Sequence, residues 1–441
     1  MRASNIARHQ SLKFAVPILV FVMALMVFAT INRSSPSAAR PAQEGQDGGR
    51  ESDRTTDGRI AVLQAAIRGS RQAEKPYTQL GIAYLQKARE TSDPAFYSRA
   101  EVALGRALSR NKKDADAVVG LANLALARHD FATGLDLARR ARRLQPTALA
   151  AYPPLVDALV ELGRYEPAAR ALQRFVDRKP GLPAYARVSY FRELHGDLDG
   201  AVEAMKLAVA AASGVPEATA SAQALLGHLE FTRGRTSAAR RAYDAALAAF
   251  PSHAPAQLGL ARLDAADGDL TAASRRLQAL VDRLPLPEYV VALGEVELAA
   301  GRPRRAREQF ELVRVQQKLL ADSGINTDVE VALFEADHGS PGRGLALARR
   351  AWNAAPSVRS ADALGWALTR ADRPRAGLRF TQRAIRIGWR DPLVLYHAGI
   401  AARSVGSDRQ ARRLLGRSLA LNRRFSPLYA PRAREAMKEL R

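Results

Sequence analysis

The sequence repeats itself at a spacing of 34 residues, and no other feature constrains its fold as strongly. Residues 114–146 (DADAVVGLANLALARHDFATGLDLARRARRLQP) and residues 149–180 (LAAYPPLVDALVELGRYEPAARALQRFVDRKP) share one pattern. Both segments end in a proline, and two later prolines have the same separation: Pro146 and Pro180, then Pro251 and Pro285. Such a period is typical of solenoids, in which each unit packs only against its neighbours.

Each unit has the pattern of two helices joined by a tight turn. Apolar residues recur at positions i, i+3, i+4 and i+7, which is the helical period. Glycine, which accepts the left-handed conformation that ends a helix, marks the turn at Gly163, Gly196, Gly234, Gly268, Gly301, Gly339 and Gly406. A small residue that permits close helix packing follows five positions later, at Ala168, Ala201, Ala239, Ala273, Ala306, Gly344 and Ala411. With only 6% aromatic residues, the pattern favours helices over a β-sheet.

These units resemble the tetratricopeptide repeat. The Leu-Gly pair of that family's first helix occurs at Leu80-Gly81, Leu226-Gly227, Leu293-Gly294 and Leu364-Gly365. The family's second-helix pattern occurs as Ala168, Leu172, Phe175 and Pro180, and again as Ala239, Tyr243, Ala246 and Pro251. The resemblance covers nearly all of residues 74–425 and implies an all-α, right-handed α-solenoid of about ten helix-turn-helix units. We expect these to begin near residues 74, 115, 149, 182, 220, 254, 287, 325, 358 and 392.

The composition divides the chain into four segments. Residues 58–425 are the predicted repeat solenoid, and residues 426–441 are a predicted helix that caps its end. Residues 32–57 are rich in Ser, Gly, Pro and charged residues, and alanine is their only apolar residue type. Such a segment cannot bury enough surface to fold, so we predict a disordered linker there. Residues 1–31 contain a basic stretch and then an apolar run.

The apolar run of residues 14–31 contains 18 uncharged residues and follows Arg2, Arg8 and Lys13. As a helix it would be about 27 Å long, close to the shortest span of a bilayer core. We predict a signal anchor or transmembrane helix, with a cleaved signal peptide as the alternative. Basic residues followed by an apolar run are typical of both kinds of segment. Residues of this predicted membrane segment include Phe14, Pro17, Phe21, Met26 and Ile31.

Both a retained N-terminal helix and a cleaved signal peptide would place the repeats outside the cytoplasm. A retained helix predicts a cell-membrane protein whose repeat domain is extracytoplasmic, because the basic residues at the N-terminus favour the cytoplasmic side. Cleavage of residues 14–31 predicts a secreted protein instead. The membrane is therefore an expected partner only if the N-terminal helix is retained.

The sequence lacks the common motifs of catalysis. No Walker loop, GxSxG, HExxH or dinucleotide-binding glycine run is present. The chain has no cysteine, and its seven histidines do not group at metal-ligand spacing. Three of them, His129, His195 and His338, are predicted to be turn or surface residues. We expect no enzyme activity, no cofactor, no metal and no small-molecule substrate.

The resemblance implies a concave groove lined by the first helices, which binds an unidentified protein or peptide. The ninth residue of each unit would face it: Ile82, Asn123, Asp157, Tyr190, His228, Arg262, Glu295, Leu333, Trp366 and Ile400. Neighbouring candidates are Glu161, Glu193, Phe231, Arg370, Tyr396 and Arg403. Aromatic anchors with a few charges are typical of protein-binding surfaces. In the alternative interpretation, Tyr190, Phe231 and Trp366 simply pack between helices.

The net charge of +23 suggests a second hypothesis, in which a polyanion binds the convex face. Arginine pairs fall on the second helices, at Arg139-Arg140, Arg240-Arg241, Arg275-Arg276, Arg349-Arg350 and Arg412-Arg413. Nucleic acid or an acidic envelope polymer would be the ligand class. Arginine outnumbers lysine 58 to 9, however, which is also typical of GC-rich codon usage. For that reason a protein partner is the preferred prediction and nucleic acid is disfavoured.

Overall fold

The computed structural model describes residues 55–69, 75–212 and 214–440. These residues form α-helices and one short 3-10 helix (Leu149–Ala151), and no strand occurs among them. The α-helices are α1 (Thr56–Gly69), α2 (Lys75–Thr91), α3 (Ala95–Arg110), α4 (Ala115–Ala127), α5 (Phe131–Leu144), α6 (Tyr152–Glu161), α7 (Tyr165–Arg178), α8 (Leu182–Leu194), α9 (Leu198–Ala211), α10 (Pro216–Thr232), α11 (Thr236–Ala249), α12 (Ala254–Ala266), α13 (Leu270–Arg283), α14 (Pro287–Ala299), α15 (Pro303–Asp322), α16 (Asp328–His338), α17 (Pro341–Ala354), α18 (Val358–Arg370), α19 (Pro374–Ala384), α20 (Pro392–Ser404), α21 (Asp408–Leu421) and α22 (Tyr429–Glu439). The predicted all-α fold is confirmed.

Helices α2 to α21 form ten consecutive antiparallel pairs, here called units 1 to 10. In each unit an even-numbered first helix packs against the odd-numbered second helix that follows it, and each unit packs against the next. Helix α1 packs against α2, and α22 packs against α21. The architecture is therefore a solenoid of helix-turn-helix repeats.

Local signals in the sequence explain where these helices begin and end. The Asp130 carboxylate accepts a hydrogen bond from the backbone nitrogen of Thr133 at 3.1 Å, and Asp269 accepts one from Ala272 at 2.8 Å. Both aspartates thus satisfy an amide that the first turn of a helix leaves without a partner. Unit 9 has no glycine in its turn, and Asp372 there takes a left-handed conformation with φ of 55°.

The glycines of the Leu-Gly pairs are required by close packing. The Leu104 side chain from α3 lies over Gly81 of α2 and over Gly120 of α4. A Cβ atom at these glycines would approach Leu104 carbons to 2.5 Å and 2.8 Å, distances that would force the helices apart. Tyr243 of α11 covers Gly227 of α10 in the same way. In these units a large side chain of the second helix thus sets the spacing to the adjacent first helices.

The solenoid curves enough for its early turns to touch its later loops. The Asn326 backbone nitrogen, which precedes α16, donates to the Arg128 carbonyl after α4 at 3.1 Å. The Val358 nitrogen at the start of α18 donates to the Tyr165 hydroxyl at 2.9 Å. The Asn422 side-chain amide after α21 donates to the Phe231 carbonyl at 2.6 Å. Units 2, 3 and 5 therefore meet the loops that follow units 7, 8 and 10, which closes the superhelix around an inner space.

Within the described residues, no helix combines the length and the apolar character needed to cross a membrane. The predicted membrane segment lies outside those residues, including Phe14, Pro17, Phe21, Met26 and Ile31.

Candidate functional site

The inner space of the superhelix contains a cavity of about 360 Å³. Helices α10, α12, α14 and α16, the first helices of units 5 to 8, form one side of it. Helix α20, the loop of residues 422–428 and α22 form the other side. We call this space the inner cavity. Its volume lies at the lower end of the range of about 300–1,000 Å³ that is typical of ligand pockets.

Most of the inner cavity wall is apolar. The apolar side chains include Phe231, Val291, Leu333, Phe425 and Pro427. Phe231 is 8% exposed, so most of it is packed among the helices and the remainder forms part of the cavity wall. A wall of this kind excludes water and favours an apolar group of a ligand.

Several predicted groove residues line the inner cavity together: His228, Phe231, Arg262, Glu295 and Leu333. They come from the first helices of units 5 to 8, whose ninth residues all face the inner cavity, and Phe231 lies three residues after the ninth residue of unit 5. Other lining residues did not stand out in the sequence, and these include Glu288, Glu330, Asp337, Asp391, His397 and Tyr429. Unit-to-unit alignment could have suggested Asp337, which lies four positions after Leu333 on α16.

The predicted groove residues of units 3 and 4 are covered by other side chains. Asp157 accepts two hydrogen bonds from Arg187, at 2.8 Å and 2.6 Å, and both side chains are buried. Burial raises the pKa of Asp157, and Arg187 opposes this shift. The Tyr190 hydroxyl donates to Glu161 at 2.8 Å and accepts from Arg359 of α18 at 2.7 Å. Closure of the superhelix thus fills the groove here with internal contacts.

Four predicted residues of units 9 and 10 do not line the inner cavity: Trp366, Arg370, Tyr396 and Arg403. Trp366 is 2% exposed, and its indole nitrogen donates to Asp337 at 3.0 Å. Arg370 stands over the Trp366 ring, while Arg403 pairs with Glu439 of α22. Trp366 is therefore packed among helices, as the alternative interpretation predicted.

Asn123 belongs to a different crevice. It lines a space of about 390 Å³ between α2, α4 and the start of α6, together with Ile82, Asp116 and Pro153. The predicted groove is thus divided into an N-terminal crevice, a filled central part and the inner cavity.

Two histidines that line the inner cavity, His338 and His397, have buried side chains, whereas the His228 side chain is 41% exposed. The prediction that His338 is a turn or surface residue was wrong, because its side chain is 6% exposed. Its Nε2 lies 3.1 Å from Glu295, and its ring stacks on Phe310 at a centroid distance of 4.5 Å. His397 pairs with Asp362 at 3.0 Å. Burial acts against the charged form of His397, but Asp362 outweighs it and raises the pKa.

Carboxylates outnumber guanidinium groups around the inner cavity. Glu288, Glu295, Glu330, Asp337 and Asp391 line it, against only Arg262 and Arg424. Burial raises the pKa of Glu288 to about 8; Arg262 opposes the shift and Glu330 adds to it. In the part of the chain that the structure describes, no three histidine or acidic side chains are grouped so as to hold a metal ion.

The convex arginine pairs divide into paired and free-standing members. Arg240 and Arg276 both bind Asp264, at 3.3 Å and 3.0 Å, and so join α11 and α13 to α12. Arg350 binds Asp328 at 2.6 Å. Arg412 donates to the Leu440 carbonyl, and the side chains of Arg241, Arg275, Arg349 and Arg413 are exposed.

Comparison with known proteins agrees with the repeat pattern. Residues 154–216 and 230–293 match tetratricopeptide repeat families. Over 201 residues the chain is 29% identical to "Cellulose synthase 1 operon protein C" of Komagataeibacter xylinus, an alignment that spans 46% of this chain and 13% of that protein.

Two solved structures are similar at 16% identity. One is the APC/C hetero-tetramer Cut9-Hcn1, with a TM-score of 0.38 over 88% of this chain and 84% of the other. The second is a monomeric mutant of IFIT1 with Gppp-AAAA, with a TM-score of 0.39 over 84% and 78%. The family matches and the helix pairs together show that the chain contains tetratricopeptide repeats.

Proposed function

We propose that this chain is a non-enzymatic scaffold that binds a segment of a partner protein in the inner cavity. The observation that carries the proposal is the cavity itself, in which apolar walls surround a small number of oriented polar side chains. Tetratricopeptide repeats generally mediate binding between proteins, which supports a protein ligand for the two matched segments. Segment 230–293 contributes α12 and part of α14 to the cavity wall.

We further propose that the scaffold acts at or beyond the cytoplasmic membrane. Residues 1–31 have the basic and apolar order of an export signal or anchor. The similarity to a cellulose synthase operon protein supports a partner within a polysaccharide synthase system. The alignment covers only 13% of that relative, so we use the relative's name to choose a partner system to test and do not assign the relative's function to this chain.

The polyanion alternative has less support. Arg240, Arg276 and Arg350 already bind carboxylates of the adjacent first helix, so these arginines hold neighbouring helices together. Binding to a polyanion would also weaken steeply as salt rises.

A cavity-filling substitution tests the proposal. Ala292 lines the inner cavity, and Ala292→Trp would occupy part of its volume. The full-length chain, wild type and variant, would be crosslinked in membranes of the native cells and recovered by an affinity tag. Ala248→Trp, on the exposed face of α11, is the matched control. The proposal predicts a partner that Ala292→Trp loses and Ala248→Trp keeps. Retention by both variants, at unchanged helix content, would contradict it.

A further inference from the structure

We infer that the segment bound in the inner cavity carries a basic side chain beside apolar ones, and that Glu288 and Glu330 receive the basic group. This inference rests on the proposed function and adds the chemical class of the partner segment. It follows from three observations: the excess of acidic groups around the cavity, a buried Glu288 oxygen and a Glu330 carboxylate without hydrogen-bond partners among the described residues, and the apolar wall.

The sign of the cavity charge is opposite to that of the chain. The chain as a whole carries +23, but five carboxylates and two guanidinium groups line the inner cavity. A surface opposite in sign to its surroundings is expected to select a ligand by charge. The excess of acidic over basic side chains favours cations over phosphate-rich ligands at this site.

Three of the five carboxylates, Glu295, Asp337 and Asp391, have partners that hold the helices around the cavity together. Glu295 interacts with His338 at 3.1 Å and accepts from the Tyr429 hydroxyl at 3.4 Å. Asp337 accepts from the Trp366 indole. Asp391 caps the N-terminus of α20 through the amides of residues 393 and 394. These groups hold the helices around the cavity and are engaged without a ligand.

Glu288 and Glu330 differ from the other three. One Glu288 oxygen accepts from Arg262 at 3.3 Å, while its second oxygen is buried without a hydrogen-bond partner. Glu330 is exposed and makes no hydrogen bond or ion pair with any residue that the structure describes. Burial is the main cause of the raised pKa of Glu288 and of Glu161, and the like charge of Glu330 adds to both shifts. A ligand cation placed here would remove that repulsion and fill the missing hydrogen bond.

The apolar wall lies beside these two glutamates. Val291 is three residues after Glu288 on α14, and Leu333 is three residues after Glu330 on α16, so each carboxylate has an apolar neighbour on its own helix face. The alkyl stem of a lysine or arginine can lie along such side chains while its charged end meets the carboxylates. Adjacent apolar residues of the same segment would fill the remaining space.

Synthetic peptides of defined composition test this inference. Short fluorescein-labelled peptides of alternating Arg and Leu, Ser and Leu, Glu and Leu, or Arg and Ser would be titrated with the full chain, and binding followed by fluorescence anisotropy. We expect the Arg-Leu peptide to bind at least about tenfold more tightly than each of the others, since a charge-assisted hydrogen bond contributes on that scale. Glu330→Gln and Glu288→Gln should each reduce this preference.

Glu203→Gln is the matched control, because Glu203 is exposed on α9 and away from the cavity. Equal binding of the Arg-Leu and Ser-Leu peptides, both lost in Ala292→Trp, would overturn the charge inference and leave the proposed function standing. If the Arg-Leu peptide still binds Ala292→Trp, the cation lies elsewhere and the inference is overturned. The same conclusion follows if Glu203→Gln weakens binding as much as Glu330→Gln does. Binding of no peptide would also overturn it.

Discussion

The Tyr165 hydroxyl accepts a hydrogen bond of 2.9 Å from the backbone nitrogen of Val358, a residue 193 positions further along the chain. Tyr165 begins the second helix of unit 3, and Val358 begins the first helix of unit 9. Their contact is one of the points at which the superhelix closes on itself. Closure brings α20 and the loop after α21 opposite α10 to α16 and thereby turns an open groove into the inner cavity.

Removal of this hydroxyl should weaken the closure. We expect Tyr165→Phe to lower the free energy of unfolding by about 1–2 kcal/mol, because the buried Val358 residue would lose the hydrogen-bond partner of its amide. The measurement is urea unfolding followed by circular dichroism. Tyr185→Phe is the control, since the Tyr185 hydroxyl on α8 makes no hydrogen bond among the described residues. Equal stability of the two variants would argue against a role of the hydroxyl.

The buried pair of Asp157 and Arg187 gives a prediction for the filled part of the groove. Arg187 is 1% exposed, so Asp157→Ala would leave a buried guanidinium without its carboxylate partner. We expect a loss of about 3–5 kcal/mol in the free energy of unfolding. Asp157→Leu combined with Arg187→Met should cost less than Asp157→Ala alone, because the double variant buries no charge. A double variant that is less stable than the single one would show that the pair itself is strongly stabilising.

The stability of the fold should depend on pH through His253. Burial lowers the pKa of His253 to about 4, and the side chain is 6% exposed. The unfolded chain therefore binds this proton from about pH 6.5 downwards, whereas the folded chain binds it only near pH 4. Stability from this residue is complete above pH 6.5 and is lost as the pH falls to 4, by up to roughly 3 kcal/mol.

His253→Gln isolates that contribution. The difference in unfolding free energy between wild type and His253→Gln, measured from pH 7 to pH 4.5, should change steadily in favour of the variant as the pH falls. Other titrating groups cancel in the difference. A difference that stays constant over this range would mean that His253 is accessible to protons in the folded chain.

Much of the fold could be predicted from the sequence because its determinants are local. The turn glycines, the helix period and the Leu-Gly pairs each act within one unit. At Gly81 and Gly227, for example, the side chains of Leu104 and Tyr243 pack directly on the glycine of the first helix. The ninth-position rule also placed His228, Arg262 and Glu295 on one surface, since four adjacent units have the same geometry there.

The remaining features depend on how small rotations between units add up. Arg359 contacts Tyr190, and Val358 contacts Tyr165, only because the units that separate these residues in the chain form a curved array. This curvature cannot be read from the sequence of any single unit. The same reason explains His338. Its place at the end of α16 suggested an exposed turn, but its ring pairs with Glu295, to which Tyr429 of α22 also donates from the far end of the chain.

The measurement that tests the central claim most directly is photocrosslinking from inside the cavity. A benzophenone amino acid at Val291 would lie on the cavity wall, and the same amino acid at Val102, 56% exposed on α3, would report on the outer surface. We predict that the partner crosslinks to position 291 and that mass spectrometry finds the attachment within a segment of basic and apolar residues. A partner that crosslinks to position 102 and not to position 291 would contradict the account.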